Sequence, residues 1–274
     1  MKILIFGKGY IGHKFTDFFG DKAVLSDVRI ENYSEVKAEI EKQMPDVVIN
    51  CAGKTGRPNV DWCEDNKMET MASNVLAPLI LARACEALDV YMVHIGSGCV
   101  YEGGFEKGFV EGDEPNFDGS FYSRTKAISE SMLKEFPVLQ LRIRMPFDSE
   151  PGPRNFVTKI VKYDKVISVP NSITIMDDFF PAAEKLIEKR ATGVYNMTNP
   201  GVIDHSEILD MYKELVDPNY DYVLFSLEDL EKITAARRSN CGLSTGKLEN
   251  EGIFMRPVRE AVRDSLIKYR SHML

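Results

Sequence analysis

Short apolar runs separated by longer amphipathic stretches dominate the first half of the chain. Such runs are typical of buried parallel strands, which are apolar on both faces. We predict strands at 2–6, 22–27, 46–50, 90–96 and 138–144, and helices at about 11–19, 34–44, 64–88 and 121–136. This alternation predicts an α/β fold, a doubly wound parallel sheet with helices on both faces. Ser34 is the expected N-cap of the second helix, which Pro45 ends.

The pattern changes after Arg144, where the chain becomes irregular and richer in Pro, Asn and Asp. We expect a smaller, discontinuous α/β domain there, placed where open sheets of this type bind ligands. An amphipathic helix at 176–190 is expected to return to the sheet. The predicted domains are 1–148 with about 168–197, and about 149–167 with 198–274.

Composition narrows the functional classes. The 274 residues carry a net charge of −8, and the pI near 5.2 argues against a nucleic-acid or anionic-membrane partner. The five cysteines include no C-x-x-C pair and no zinc spacing, so no metal site is expected. The opening apolar run of four residues is too short for a signal peptide or a membrane span. A cytoplasmic protein with reduced thiols is therefore expected.

A glycine-rich turn follows the first predicted strand and opens the first helix. "GKGYIG" places Gly7, Gly9 and Gly12 in the G-x-G-x-x-G pattern. In this context the pattern predicts a Rossmann-type dinucleotide site, because glycines let a pyrophosphate approach backbone N–H groups at a helix N-terminus. The predicted cofactor-binding residues of this turn are Gly7, Lys8, Gly9, Tyr10, Ile11 and Gly12. A purely structural strand–helix turn is the alternative.

The residues around the next strand ends bear on the choice of cofactor. Asp27 stands where an acid would bind the ribose 2′-hydroxyl of NADH, but Lys8 and Arg29 could each face the 2′-phosphate of NADPH. We favour NADPH and leave NADH open. Small residues after the third strand would let the adenosine pass; they are Cys51, Ala52 and Gly53.

The stretch "GSFYSRTK" suggests the reacting centre. Tyr122 and Lys126 lie one helical turn apart, and the Lys126 ammonium is expected to stabilise a Tyr122 phenolate and lower the phenol's pKa. Ser97, at the end of a predicted strand, could hydrogen-bond a substrate carbonyl. Singly, Tyr and Lys on a helix more often form a solvated face. The glycine turn and Ser97 favour function.

With these residues the chain resembles the extended short-chain dehydrogenase/reductases, and more narrowly the 3,5-epimerase/4-reductases of UDP-L-rhamnose synthesis. The matching blocks are "TGRPNVDWCE", "NFDGSFYSRTKA", "LRIRMP", "PRNFVTKI", "VPNSITIMDD", "NMTNPG", "HSEILDMYKE" and "RSN". They cover nearly the whole chain. The resemblance implies an NAD(P)H-dependent enzyme acting on UDP-4-keto-6-deoxyglucose, and it suggests a homodimer through the helices at 64–88 and 121–136.

The resemblance also implies roles for Cys99 and Lys159 in epimerisation. Inverting a carbon next to a carbonyl needs one group to remove a proton and another to return one on the opposite face. A thiol suits that work because its pKa lies near 8.5. Ser97 and Tyr122 would stabilise the enolate oxygen. The alternatives are that Cys99 is a buried small hydrophobe and that Lys159 is a solvated helical residue.

One difference from related enzymes argues against dehydratase activity. Sugar-nucleotide 4,6-dehydratases carry Asp-Glu after their threonine, whereas Gly98 and Cys99 stand in this chain. The resemblance therefore implies that a separate dehydratase supplies the keto sugar. Ser97 replaces the usual threonine and keeps its hydroxyl.

The remaining predictions concern substrate binding. Arg238 and Asn240 belong to a motif that the resemblance places near the diphosphate, and an Arg side chain binds phosphate oxygens in pairs. The other predicted substrate residues are Arg57, Asn59, Asp61 and Asn155. A tight Arg-Pro-Asn turn and a helix cap are the structural alternatives. His94 is interpreted as a satisfied core residue, and His13, His205 and His272 are not arranged for metal or acid–base work.

Three other functions stay open. A GDP-L-fucose-synthase-like enzyme would use a histidine as its second acid–base group, where this chain offers a lysine. A dTDP-4-dehydrorhamnose reductase without epimerase activity would not need Cys99. A non-catalytic NADP-binding regulatory subunit is disfavoured by the intact set of Ser97, Tyr122 and Lys126.

Overall fold

The computed structural model describes residues 1–273, which form two compact units. Unit 1 comprises Met1–Val100, Phe117–Leu141 and Leu186–Val194; unit 2 comprises Tyr101–Asn116, Arg142–Lys185 and the chain from Tyr195 onward. These ranges differ from the predicted domains chiefly at 101–116, 142–148 and 168–185, which fall in unit 2. The last of these includes Asp178, whose carboxylate is bound by Arg256 of the same unit at 2.6 Å.

Eight strands are found in the described residues. They are β1 (Ile3–Phe6), β2 (Ala23–Leu25), β3 (Val47–Asn50), β4 (Tyr91–Ser97), β5 (Val138–Ile143), β6 (Lys165–Val166), β7 (Gly193–Asn196) and β8 (Val223–Leu224). All five predicted strands are present. The sequence does not predict β7, because its four residues begin with a glycine and are too few to show a period.

The main sheet has the order β2-β1-β3-β4-β5-β7. The pairs β1–β2, β1–β3 and β3–β4 are parallel. The chain runs from β1 outward to β2 and then resumes on the other side of β1 with β3. The loops after β1 and β3 therefore meet at a switch point, where open sheets of this class bind ligands. The predicted doubly wound α/β fold is confirmed.

The α-helices of the described residues pack around these strands. They are α1 (Tyr10–Phe19), α2 (Tyr33–Gln43), α3 (Trp62–Asp65), α4 (Lys67–Met71), α5 (Ala77–Ala87), α6 (Phe121–Leu133), α7 (Phe156–Ile160), α8 (Met176–Glu188), α9 (His205–Leu215), α10 (Leu227–Ile233), α11 (Gly246–Asn250) and α12 (Val258–Ser271). A 3₁₀ turn covers Gly20–Lys22, and a π-helical turn covers Ala72–Leu76.

Two helix predictions need correction. The single helix expected at 64–88 is divided into α3, α4, the π-helical turn and α5, since the side chain of Asn66 donates to the Trp62 carbonyl at 2.8 Å and ends the first segment. The N-cap of α2 is Asn32 rather than Ser34: the Asn32 side chain accepts from the Ser34 N–H at 2.9 Å. An Asn can cap a helix as well as a Ser, so the sequence alone does not decide between them.

Each unit has its own apolar core. In unit 1, side chains of β1, β3 and β4 pack with α2 and α5 around residues such as Leu4, Val48, Leu81 and Met92. In unit 2, residues such as Phe147, Val157, Ile173, Leu209 and Leu266 form a second cluster between α7, α9 and α12.

Two properties of residues 1–273 bear on function. No helix there has both the length and the apolar character needed to cross a membrane. The same residues contain no group of three or more His, Cys, Asp or Glu side chains suited to a metal ion. All five cysteines are free thiols.

Candidate active site

The glycine turn between β1 and α1 lies against the loop after β3. Gly7 has a φ of +103°, and a Cβ built on it would lie 2.4 Å from the Ala52 backbone nitrogen. A Cβ on Gly12 would lie 2.0 Å from the Gly7 carbonyl oxygen, whereas one on Gly9 would meet open space. The turn thus requires glycine at two positions and leaves an open face at the third, beside the N-terminus of α1. This shape fits the pyrophosphate of a dinucleotide.

The side chains predicted to contact the cofactor ribose form two ion pairs, one of which joins the glycine turn to the residues after β2. The Lys8 ammonium contacts the Asp27 carboxylate, and Arg29 pairs with Glu31 at 2.7 Å. All four side chains are substantially exposed, so these pairs add little stability and can open for a ligand. Lys8, the candidate contact for a 2′-phosphate, is therefore in contact with Asp27, the candidate contact for a 2′-hydroxyl.

Ser97 and Cys99 form a hydrogen-bonded pair at the end of β4. The Ser97 hydroxyl donates to the Cys99 sulfur at 3.0 Å, and the Cys99 N–H donates to the Ser97 oxygen at 3.3 Å. Cys99 is only half-buried. Its thiol therefore lies in a polar setting, which does not fit the interpretation of Cys99 as a buried small hydrophobe.

Helix α6 places Tyr122 beside Ser97 and Cys99. The Ser120 hydroxyl caps the helix by accepting from the Ser123 N–H at 3.0 Å, which puts Tyr122 in the first turn and Lys126 one turn later. Burial raises the pKa of the Tyr122 phenol above its ordinary value, the nearby Cys99 raises it further, and a hydrogen bond with Ser97 opposes both. The net direction is upward, because burial outweighs the lowering effects, and the expected stabilisation of a phenolate by Lys126 stays a prediction.

Lys126 is almost completely buried, with 7% of its surface exposed. Its ammonium donates to the Ile95 carbonyl at 3.1 Å and lies 3.4 Å from Nε2 of His94. Burial lowers the pKa of Lys126 to about 8, against the opposing effects of Cys99 and Glu130. Ser97, Cys99, Tyr122 and Lys126 thus form one cluster, all within unit 1.

Three predicted substrate residues lie in the loop before α3. The Asn59 side chain accepts from the Asp61 N–H at 2.8 Å, and the peptide bond between Arg57 and Pro58 is cis. Arg57 is exposed. The geometry supports the structural interpretation of Asn59 as a turn residue and leaves Arg57 and Asp61 as predictions.

The other predicted substrate residues lie in unit 2. Lys159, in the last turn of α7, is partly exposed; burial lowers its pKa, and the neighbouring charges of Arg154 and Arg238 lower it further. Three cations are therefore close enough to repel one another, which is typical of a site for an anion. This arrangement is consistent with the predicted diphosphate role of Arg238.

Asn155 and Asn240 make their hydrogen bonds within the protein. The Asn155 amide accepts from the N–H groups of Asp148 and Val157 and donates to the carbonyls of Asp148 and Glu150, at 2.7–3.3 Å. It is the N-cap of α7 and is fully buried, which supports the helix-cap alternative for Asn155. Asn240 is similarly bonded to Asn171 and to the Arg238 carbonyl.

Several buried polar residues of the two units are not evident from the sequence patterns. Arg144 donates to Asn171 and to the side chain and carbonyl of Ser239, and so fixes the loop that carries Arg238. In unit 1, Asn50 and His94 lie behind Lys126. Arg144 lies in the block "LRIRMP", for which the sequence predicts no function. Asn50 and His94 are 44 positions apart, so no sequence pattern indicates that they are in contact.

Comparison with known proteins assigns the chain to a family. Residues 1–271 match the family described as the RmlD substrate binding domain. The chain belongs to this family. It is 42% identical over 278 residues to a bifunctional dTDP-4-dehydrorhamnose 3,5-epimerase/dTDP-4-dehydrorhamnose reductase of Arabidopsis thaliana, covering 97% of this chain and 91% of the relative.

A second sequence relative and a crystal structure agree with this assignment. A trifunctional UDP-glucose 4,6-dehydratase/UDP-4-keto-6-deoxy-D-glucose 3,5-epimerase/UDP-4-keto-L-rhamnose-reductase of the same plant is 42% identical over 98% of this chain, which spans only 42% of that relative's length. The crystal structure of the L780 UDP-rhamnose synthase from Acanthamoeba polyphaga mimivirus superposes with a TM-score of 0.94 at 36% identity, covering 98% of this chain and 99% of that one. The resemblance found in the sequence is confirmed for the family.

Proposed function

We propose that this protein converts UDP-4-keto-6-deoxy-D-glucose to UDP-L-rhamnose by 3,5-epimerisation followed by reduction at C4. The observation that carries the proposal is the contact of 3.0 Å between Ser97 and the Cys99 sulfur, beside Tyr122. A reductase alone needs the hydroxyls and the lysine, whereas a polar, half-buried thiol among them suits proton transfer at carbon. The names of the relatives support this assignment.

In the epimerisation, the hydroxyls of Ser97 and Tyr122 donate to the C4 oxygen and stabilise the enolate that forms when C3 or C5 loses a proton. We propose that Cys99 is one of the two proton-transferring groups and that Lys159 is the other. The lowered pKa of Lys159 increases its neutral fraction near neutral pH, and only the neutral amine can accept a proton.

In the reduction, Tyr122 donates its hydroxyl proton to the C4 oxygen, and the Lys126 ammonium stabilises the resulting phenolate. NADPH, or NADH as the alternative, supplies the hydride. The open face at Gly9 and the glycines at positions 7 and 12 fit the pyrophosphate, and Lys8 is the candidate contact for a 2′-phosphate.

We further propose that a separate 4,6-dehydratase supplies the keto sugar and that the protein works in the cytoplasm as a homodimer. Apolar side chains on the outer surface of α4, α6 and the π-helical turn support the homodimer; they are Met68, Leu76, Ile128 and Met132. Replacement of Leu76 and Met132 by Glu should yield a monomer in sedimentation analysis, and an unchanged mass would remove this helical face from the interface.

The test of the function is incubation of the purified protein with NADPH and either the UDP-linked or the dTDP-linked 4-keto-6-deoxyglucose. The proposal expects a 6-deoxy-L-sugar with the L-rhamnose configuration from the UDP substrate. Preferential turnover of the dTDP substrate would favour the second candidate, which the name of the bifunctional Arabidopsis relative suggests. A reduced product with unchanged configuration at C3 and C5 would contradict the epimerase.

A further inference from the structure

Two buried residues behind Lys126 connect its amine to the backbone of the neighbouring strand. Asn50 and His94 are register partners on β3 and β4, with 0% and 1% of their surfaces exposed. Nδ2 of Asn50 lies 3.1 Å from Nδ1 of His94, and Nε2 of His94 lies 3.4 Å from the Lys126 nitrogen. The chain Asn50–His94–Lys126 is wholly within unit 1.

The direction of each hydrogen bond in this chain follows from its backbone end. The Ala52 N–H, which can only donate, points to Oδ1 of Asn50 at 3.0 Å. The other end of the Asn50 amide is therefore the NH₂ group, and it donates to Nδ1 of His94. Nδ1 must then carry the lone pair, so a neutral His94 carries its proton on Nε2, facing Lys126.

This tautomer is complementary to one form of Lys126 only. A neutral amine can accept from the His94 Nε2–H while it donates to the Ile95 carbonyl at 3.1 Å. An ammonium has no lone pair, so one of its N–H groups would face another donor. Turning the Asn50 amide would correct this clash only by placing its NH₂ group against the Ala52 N–H.

We propose that Asn50 and His94 are positioning residues that favour the neutral amine of Lys126 and so set the upper pH limit of the reduction. This inference rests on the proposed function, in which Lys126 acts as an ammonium. The reduction rate should fall as pH rises and Lys126 loses its proton, and a variant that accepts from the ammonium should extend activity to higher pH. The lowered pKa of Lys126, about 8, agrees in direction.

Other charged or titratable groups near Lys126 do not supply this bias. Glu130 on α6 and Cys99 after β4 both act to raise the pKa of Lys126, and Tyr122 lies one turn before it on the same helix. The charged groups found at the start of α6, where Phe121 lies, are Glu64 of α3, Lys67 of α4 and Arg124 of α6. The pKa of His94 is itself lowered, by burial and by Lys126, which keeps its ring neutral.

The decisive variant is Asn50→Asp, because it is nearly isosteric and reverses the end of the chain. One carboxylate oxygen still accepts from the Ala52 N–H, while the other now accepts from Nδ1–H of His94. Nε2 then carries the lone pair and accepts from the Lys126 ammonium, and the added charge acts in the same direction. We expect the alkaline midpoint of kcat for the reduction to rise by at least one pH unit, a tenfold change in proton affinity. His13→Gln, on the exposed side of α1, is the matched control and should not move the midpoint.

A second readout does not depend on turnover. In ¹⁵N-histidine NMR spectra, His94 of the parent protein should show the Nε2–H tautomer, and Asn50→Asp should convert it to the Nδ1–H or doubly protonated form. Should the parent fail to reduce any keto sugar, the proposed function fails while these spectra still decide the inference. If Asn50→Asp does not fold, His94→Gln replaces it, since a glutamine amide oxygen at that position can accept from the ammonium and should also raise the midpoint.

Two results would overturn the inference. One is an Nδ1–H tautomer of His94 in the parent protein. The other is an alkaline midpoint that stays unchanged in both Asn50→Asp and His94→Gln.

Discussion

Two sets of polar side chains, one in each unit, are held in opposite ways. In unit 2, Asn155 uses its amide in four hydrogen bonds, and Arg144 donates to both Asn171 and Ser239. In unit 1, Tyr122 is half-buried and Lys126 is buried, and both have pKa values displaced against their charged forms. Satisfied groups hold a fold in one arrangement, whereas groups whose charged forms are disfavoured can change protonation state when a ligand arrives.

The same comparison separates structural from chemical residues. Unit 2 contains the Arg256–Asp178 pair, in which two guanidinium nitrogens reach one carboxylate at 2.6–3.2 Å. Such pairing stabilises both charges and leaves nothing to react. Unit 1 places a thiol, a phenol and an amine close together, and the bond that Lys126 makes at 3.1 Å goes to a neutral group, the Ile95 carbonyl. Titratable groups whose pKa values are displaced against their charged forms therefore distinguish the site.

The largest expected effect is on Tyr122. Tyr122→Phe removes the proton donor and keeps the ring, so the rate of NADPH oxidation with the keto sugar should fall about 10³-fold. Stopped-flow absorbance at 340 nm measures it. Tyr222→Phe, in unit 2, removes the hydroxyl that donates to Asp210 and should leave the rate unchanged. Equal losses in the two variants would abolish the distinction between the units.

Lys126→Met tests the cost of burying the Lys126 ammonium. The folded pKa of Lys126, about 8, lies below its ordinary 10.5, so the folded protein binds fewer protons and the stability of the parent should rise between pH 8 and 10.5. Below pH 8 the full penalty is present, up to about 3 kcal/mol. The advantage of the Met variant in unfolding free energy should therefore shrink from pH 7 to pH 10.5 in urea titrations. A constant difference over this range would mean that Lys126 is not held against its charged form.

Asn155→Ala tests the opposite kind of burial. Because its amide caps α7 and is satisfied on both ends, truncation should cost about 2 kcal/mol of unfolding free energy. The KM of the folded variant for the nucleotide sugar should change less than twofold. A large rise in KM with unchanged stability would restore Asn155 to the substrate site.

Much of unit 1 could be predicted from the sequence. Parallel strands such as β1 and β3 are apolar on both faces, and glycines at positions 7 and 12 between a strand and a helix predict the tight turn that is found. The spacing of Tyr122 and Lys126 places them on one face of any helix that contains both. These features depend on local pattern, which the sequence displays directly.

The remaining features depend on long-range contacts. Whether Asn155 binds a ligand or caps a helix depends on where the 148–150 backbone lies. The sequence favours His94 as a satisfied core residue, yet its tautomer depends on Asn50, 44 positions earlier in the chain. The division of the predicted 64–88 helix at Asn66 likewise depends on a side-chain hydrogen bond that no hydrophobic period reveals.

The central claim is that the cluster of Ser97, Cys99, Tyr122 and Lys126 takes part in both proton exchange at carbon and reduction, with Cys99 serving the first. Its most direct test is deuterium incorporation from D₂O into C3 and C5 of the UDP-linked keto sugar, followed by NMR in the absence of NADPH. The account predicts rapid incorporation in the parent and in Tyr91→Phe, a control that removes only a hydroxyl bound to the Ala191 carbonyl, and none above background in Cys99→Ala. Incorporation at the parent rate in Cys99→Ala would contradict the account and reduce the site to a carbonyl reductase.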